Sequence, residues 1–232
     1  MTNQAHNPTI KNPAIVIFAN GVSKHLERHR NDVARADFIL CANGGTDACL
    51  RLGFTPDLVV GDLDSLAAET LELLHKNHVE IIVHPEDKNR TDLELALQEA
   101  ASRHPKNILV LNAIGGRLDQ LLANIFLLAS RELASIPVTL ADGNQSVYPL
   151  TGPKEFTLNG RPGDTFSLVV LSDKAEGITL GGVKWPLKNA ALTFGSTLPV
   201  SNQFMDNTAE LQMKSGSILV FHISHPSEEA FL

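Results

Sequence analysis

Cysteine, tyrosine and tryptophan are scarce in this 232-residue chain, which has two cysteines, one tyrosine and one tryptophan. Two cysteines, Cys41 and Cys49, cannot build a disulfide framework, so nothing points to an oxidising compartment, and both read as reduced core thiols. Basic residues are few, 19 against 26 acidic for a net charge of -7, which argues against non-specific nucleic-acid binding. No apolar run approaches the length of a membrane span, and the first dozen residues lack the apolar stretch of a secretory leader. A cytoplasmic location is therefore expected. Nine histidines are present, but pairs such as His75 with His78 and His222 with His225 lack further ligands at zinc-site spacing and read as surface or boundary residues.

The first 140 or so residues alternate two textures. Ala14–Phe18, Phe38–Leu40, Leu58–Val60, Ile81–Val83, Ile108–Leu111 and Val138–Leu140 are near-continuous apolar runs, as strands buried on both faces require. Between them lie amphipathic segments. One places Leu118, Leu121, Leu122, Ile125, Leu128 and Ala129 on a single stripe, and another opens at Thr91 with Glu94 three residues on, the form of a capping box. Alternation of this kind predicts an α/β fold with a mostly parallel sheet covered by helices on both faces.

After Asp142-Gly143 the candidate strands become short and alternating: 165–170, 209–213 and 217–221. Asn159-Gly160, Pro162-Gly163, Gly181-Gly182 and Ser215-Gly216 punctuate them, which predicts an antiparallel β-sandwich or small barrel. The expected division is residues 1–145 and 150–232, with Pro149–Pro153 as linker and a loose tail from His225.

Chemistry concentrates where the apolar runs of the first half end. Asp62 and Asp64 follow Leu58–Val60, Asp92 follows Thr91, and Gly115-Gly116-Arg117-Leu118-Asp119 follows Ile108–Leu111. In an open parallel sheet the loops beyond the carboxyl ends of the strands converge on one crevice. Asn20-Gly21 and Asn43-Gly44-Gly45-Thr46-Asp47 end the first two strands and belong to the same rim. Carboxylates of this kind suit Mg²⁺, a hard cation held by one or two carboxylates together with substrate phosphates. The glycine pair allows close backbone approach to phosphate, and Arg117 offers a planar fork of donors. If the chain stays extended through Asp62-Leu63-Asp64, both carboxylates face the same side.

In order and type these motifs resemble the thiamine pyrophosphokinase family. The resemblance rests on Asn43-Gly44-Gly45, the Pro56–Ser65 segment with Asp62 and Asp64, Lys88–Leu97, and Gly115–Asp119. It continues through Gly182–Leu187, Phe194-Gly195-Ser196 and Val200-Ser201-Asn202. It implies a Rossmann-like N-terminal α/β domain, a C-terminal β-sandwich, and a homodimer with thiamine bound between one subunit's α/β domain and its partner's sandwich. The implied reaction moves a pyrophosphoryl group from ATP to thiamine, giving thiamine diphosphate and AMP. By carry-over Asp62, Asp64 and Asp92 serve Mg²⁺ and catalysis, with Arg117 stabilising charge. Asn20, Asn43, Gly44, Gly45, Asp47, Ser65, Lys88, Thr91, Gly115, Gly116, Asp119 and Gln120 line the nucleotide and metal site. Trp185, Ser201 and Asn202 meet thiamine, for which the indole offers a face to a cationic ring.

Three positions depart from the family pattern. Asn43 stands where aspartate is common, Asn89 follows Lys88 where aspartate is common, and Gln120 replaces a histidine. Amides coordinate without carrying charge. Either the metal site is leaner, or Asp47 and Asp87 compensate from nearby positions. Three other readings use the same motifs: a phosphatase with Asp62 as nucleophile, a pyrophosphokinase acting on a pterin alcohol, and a non-catalytic thiamine or nucleotide sensor.

Overall fold

A computed structural model describes residues 11–85, 87 and 89–225. Lys88 and the tail from 226 lie outside the described residues. Two compact units emerge: one of residues up to 116 together with 135–137, the other of 117–134 and 138 onward.

The first unit is built on strands β1 (Ala14–Phe18), β2 (Phe38–Ala42), β3 (Leu58–Gly61), β4 (Glu80–Val83) and β5 (Asn107–Leu111). All pair in parallel, in the order β5-β1-β2-β3-β4. Helices α1 (Arg30–Ala34), α2 (Gly45–Arg51), α3 (Ala68–Lys76) and α4 (Asp92–Ser102) alternate with the strands. Ile15, Ile17, Phe18, Leu40, Leu58, Val59 and Val110 are buried, as two-sided coverage demands. Cys41 and Cys49 are buried free thiols, and burial, with Cys49 beside it, pushes the Cys41 thiol well up.

β4 departs from the expectation of burial on both faces: Ile81 and Ile82 are half-buried and Val83 is exposed. Among the described strands it is an edge, with β3 beside it. Helix α4 then runs back across the sheet and packs on β1, β2 and β3. Thr91 caps it, its hydroxyl accepting the Glu94 N–H at 3.2 Å. The Glu94 carboxylate meets Arg90 at 3.4 Å. This return path brings Asp92, at the first turn of α4, to the carboxyl ends of β2 and β3.

In the second unit, helix α5 (Leu118–Leu128) is followed by β6 (Val138–Asp142), β7 (Gln145–Thr151), β8 (Lys154–Asn159), β9 (Thr165–Val170) and β10 (Lys174–Gly181). Strands β11 (Leu187–Thr193), β12 (Asn202–Gln203), β13 (Thr208–Met213) and β14 (Ser217–Ile223) complete it. One antiparallel layer has the order β12-β9-β14-β7-β6, the other β11-β10-β13-β8. Leu150, Phe166, Leu168, Ile218 and Val220 from the first layer share a core with Leu158, Ile178, Leu180, Leu211 and Met213 from the second. This is a β-sandwich, as expected.

One expectation for this unit is corrected. The stretch read as linker begins within β7: Pro149 pairs with Leu219 and Leu150 is buried. Proline is tolerated there because the register of β6 on β7 runs only from Val147 to Gln145, so no N–H is demanded at position 149 from that side. Along the apolar stripe of α5, Leu128 is buried and Leu121, Ile125 and Ala129 are half-buried, while Leu118 and Leu122 are exposed at 69% and 46%, as is Phe126 beside the stripe at 56%. The helix is apolar on more than one face, so one face is buried and others remain open.

Asp164 ties the end of the sandwich together. Its carboxylate accepts from the backbone N–H groups of His225 and Arg161, and lies 2.9 Å from His222 Nε2. Burial pushes the Asp164 carboxyl up, but His225, His222 and Arg161 outweigh burial and hold it below the ordinary range. A folded pKa below the unfolded value of about 3.9 adds stability above that value, lost as pH falls through the folded pKa. Thermal unfolding between roughly pH 2 and 5 is expected to show a steeper acid decline for the native protein than for Asp164→Asn. Equal slopes would remove Asp164 from the acid transition.

Candidate active site

The carboxyl ends of β2 and β3 and the start of α4 bring three acidic side chains to one point. Asn43 follows β2 in a left-handed conformation, φ 44°, which asparagine tolerates better than most residues. Its side chain is buried and aimed into the acids. Nδ2 donates toward Asp62 Oδ1 at 2.7 Å, Asp64 Oδ1 at 2.9 Å, Asp92 Oδ2 at 3.2 Å and Ser65 Oγ at 3.5 Å. An amide nitrogen carries two hydrogens, so four acceptors share two donors.

The convergence of Asp62 and Asp64 arises differently from the expected extended chain. β3 ends at Gly61, and Leu63 turns into the left-handed region at φ 66°, an uncommon conformation for leucine that costs of the order of 1 kcal/mol. The turn is closed by the Asp64 N–H, 3.4 Å from Asp62 Oδ1, and by Ser65 Oγ, which donates to Asp64 Oδ1 at 2.9 Å. Gly61 is required by space: a Cβ there would lie 2.8 Å from Asn43 Cβ and 3.2 Å from Asp92 Oδ1.

The rest of the first-unit rim is assembled by backbone. Asn20 is exposed and its side chain lies over Gly44, where an added Cβ would meet it at 2.5 Å. A Cβ on Gly45 would meet Phe18 O at 2.1 Å, so α2 starts directly against β1. Asp47 accepts from Thr70 Oγ1 at 3.3 Å, and Asn89 is exposed. Asn112, unnoticed in the sequence, joins the loops after β1 and β5. It is buried, its Nδ2 donates to Ala19 O at 2.9 Å, and its Oδ1 accepts the Ser23 N–H at 2.9 Å. Gly21 N–H donates to Asn112 O at 2.7 Å, and a Cβ on Gly115 would stand 2.5 Å from Val22 O. The only signal for Asn112 was its place between an apolar run and the glycine pair.

In the second unit Arg117 and Asp119 form a bidentate pair, Nε to Oδ1 at 3.1 Å and Nη2 to Oδ2 at 2.5 Å. Both are exposed, as is Gln120. The Asp119 carboxylate beside Arg117 raises the guanidinium pKa, and the arginine holds the Asp119 carboxyl below its usual range.

Trp185 is 54% exposed, with Lys184 Nζ 4.7 Å from its ring centroid. Its backbone is gripped by buried Asn202, whose Oδ1 accepts the Trp185 N–H at 3.0 Å and whose Nδ2 donates to Trp185 O at 2.8 Å. Oδ1 also accepts the Gln203 N–H at 2.9 Å. Asn202 thus uses both ends of its amide on the backbone of Trp185. Ser201 is exposed, left-handed at φ 62°, and its N–H donates to Ser167 Oγ at 2.9 Å.

Among the described residues no three His, Cys, Asp or Glu side chains close up as a ready-made metal cage. The three carboxylates are instead gathered around a donor. Three carboxylates drawn toward one amide nitrogen offer a cluster of hard oxygen ligands, the donor type that a divalent cation such as Mg²⁺ takes while retaining waters.

Two family models match the chain: "Thiamin pyrophosphokinase, catalytic domain" over residues 29–140 and "Thiamin pyrophosphokinase, vitamin B1 binding domain" over 154–218. The chain is similar to thiamine pyrophosphokinase of Bacillus subtilis, at 30% identity over 76% of this chain and 82% of that protein. It is similar also to thiamine pyrophosphokinase 1 of Oryza sativa, at 26% identity over 82% and 80%. The crystal structure of the Bacillus subtilis enzyme superposes with a TM-score of 0.82 at 25% identity, covering 92% of this chain and 100% of that one. The yeast enzyme shares the fold, TM-score 0.74 over 97% and 90% at 19% identity.

Proposed function

We infer the chemistry from the premise that this chain belongs to the thiamine pyrophosphokinase family. It is an ATP-dependent thiamine diphosphokinase, which moves the pyrophosphoryl group of ATP to the thiamine hydroxyl and releases AMP. None of the matches favours a pterin-alcohol kinase or a non-catalytic sensor.

The observation that carries the residue assignments is the convergence of Asp62, Asp64 and Asp92 on one amide nitrogen. These carboxylates would hold Mg²⁺, which, when bound, neutralises charge on the phosphate oxygens of ATP during in-line displacement. Asp62 and Asp64 would be its principal holders, while Asp92, in the first turn of α4, would add a ligand or orient the attacking hydroxyl. The positive N-terminal end of that helix favours anionic groups at the same place. Arg117, now paired with Asp119, exchanges that carboxylate for a phosphate of the nucleotide, a like-for-like swap for its fork. Asn20, Gly44, Gly45, Asp47, Ser65, Thr91, Gly115, Gly116 and Gln120 shape the nucleotide rim, joined by Lys88.

Thiamine stacks on Trp185, with Ser201 beside it. Residues 1–145 then serve as the catalytic domain and 150–232 as the thiamine-binding and dimerisation domain of a cytoplasmic homodimer. Exposed Leu118, Leu122 and Phe126, with Phe194, Leu198 and Met205, support a second copy as the cover for apolar surface. Among the described residues no helix is long and apolar enough to cross a membrane.

Replacing the indole tests the thiamine assignment. Trp185→Ala is expected to raise the KM for thiamine by about tenfold, the value of a partly desolvated cation–π contact, with the KM for ATP unchanged. Steady-state kinetics with each substrate varied separately reads this out. An unchanged thiamine KM would remove Trp185 from the thiamine site.

A further inference from the structure

Asn43 holds an amide whose two ends are treated unequally. Nδ2 stands within hydrogen-bond reach of all three carboxylates, whereas Oδ1 is fully buried and has no hydrogen-bond partner among the described residues. A buried carbonyl oxygen left unpaired is costly, so this is an unusual expense for a side chain that is itself 3% exposed. The orientation follows from chemistry. Facing three carboxylates, the amide presents its N–H end, because Oδ1 in that place would set another oxygen against theirs.

We propose that Asn43 is a built-in stand-in for the divalent cation. In the metal-free enzyme its amide hydrogens hold Asp62, Asp64 and Asp92 together. With the cation bound, the amide would turn so that Oδ1, the end without a hydrogen-bond partner among the described residues, could serve as an oxygen ligand. The two ends of one carboxamide thus serve two charge states of the cluster. An aspartate at this position could do only the second job, adding a fourth negative charge to the first. Asn43 is in this sense a positioning residue that exchanges some metal affinity for a cluster that stays assembled without metal. The inference rests on the reading of these carboxylates as the Mg²⁺ site.

The test compares the native protein with Asn43→Asp and Asn43→Ala by thermal unfolding in EDTA and in Mg²⁺, and by calorimetric Mg²⁺ titration without nucleotide. Asn43→Asp is expected to melt below the native protein in EDTA and to bind Mg²⁺ about tenfold more tightly, as an added ligand charge dictates. Asn43→Ala, which removes the donor without adding charge, is expected to show a larger Mg²⁺-induced rise in melting temperature than the native protein. If the native protein binds Mg²⁺ but Asn43→Asp melts no lower in EDTA, or binds the ion no more tightly, the stand-in role is wrong and the metal site survives. Equal Mg²⁺-induced rises for Asn43→Ala and the native protein likewise overturn it. Should neither the native protein nor Asn43→Asp bind Mg²⁺, both the inference and the metal reading fall.

Discussion

Asp64→Asn is expected to lower kcat by about a thousandfold, some 4 kcal/mol of lost transition-state stabilisation, while leaving the fold intact. Two features of Asp64 make this a sharp expectation. Its side chain is exposed, in a turn beyond the end of β3, so the isosteric amide disturbs no core packing. Its Oδ1 is nevertheless one of the three oxygens gathered at Asn43 Nδ2, and it also accepts from Ser65 Oγ. An amide in its place withdraws one unit of charge from the proposed ion and can turn a donor toward it. Turnover kinetics together with thermal unfolding separate chemistry from folding. Near-native kcat with an unchanged melting temperature would take Asp64 out of the metal site.

Phe204→Ala is expected to cost about 3–5 kcal/mol of stability, a large share of the marginal stability of an ordinary domain. Phe204 is 1% exposed and sits among the core residues contributed by both layers of the sandwich. Its ring meets Phe166 edge-on, with centroids 5.7 Å apart, and lies 5.2 Å from the His222 ring. Its backbone is fixed at the same time, the N–H donating to Asp164 O and the carbonyl accepting from Gly163 N–H, both at 2.9 Å. Neighbouring strands pinned in this way cannot collapse into the space left by the ring, which places the loss toward the upper part of the range. Phe204 lies two residues beyond Asn202, so the clamp on Trp185 loosens with it. Denaturant unfolding measures the stability loss. A change under about 1 kcal/mol would show that the site repacks.

Much of the fold was legible because buried parallel strands announce themselves. The apolar runs at Ala14–Phe18 and Leu58–Val60 admit few other readings, and the Thr91 and Glu94 spacing marked the start of α4 correctly. Legibility failed where one physical signal masks another. Pro149 reads as a strand breaker, but its missing N–H falls where the register of β6 has ended. The leucines of α5 read as one apolar stripe, but periodicity reports amphipathicity and not what covers the apolar face, and Leu118 and Leu122 are exposed.

At the site the residue types were legible and the geometry was not. Asp62, Asp64 and Asp92 could be placed at strand ends, yet their meeting at a single nitrogen depends on Leu63 adopting a left-handed turn and on α4 returning across the sheet. Neither is written in a local pattern. Asn43 and Asn202 look alike in sequence, as polar loop residues near glycines or serines. The structure gives one a focal place among carboxylates and commits the other to the backbone of Trp185.

Quantifying the products of purified protein supplied with ATP and thiamine tests the central claim most directly. In Mg²⁺, AMP and thiamine diphosphate are expected in equal amounts, and in EDTA neither is expected. Formation of ADP with thiamine monophosphate, or undiminished turnover in EDTA, would contradict metal-assisted pyrophosphoryl transfer at the cluster of Asp62, Asp64 and Asp92.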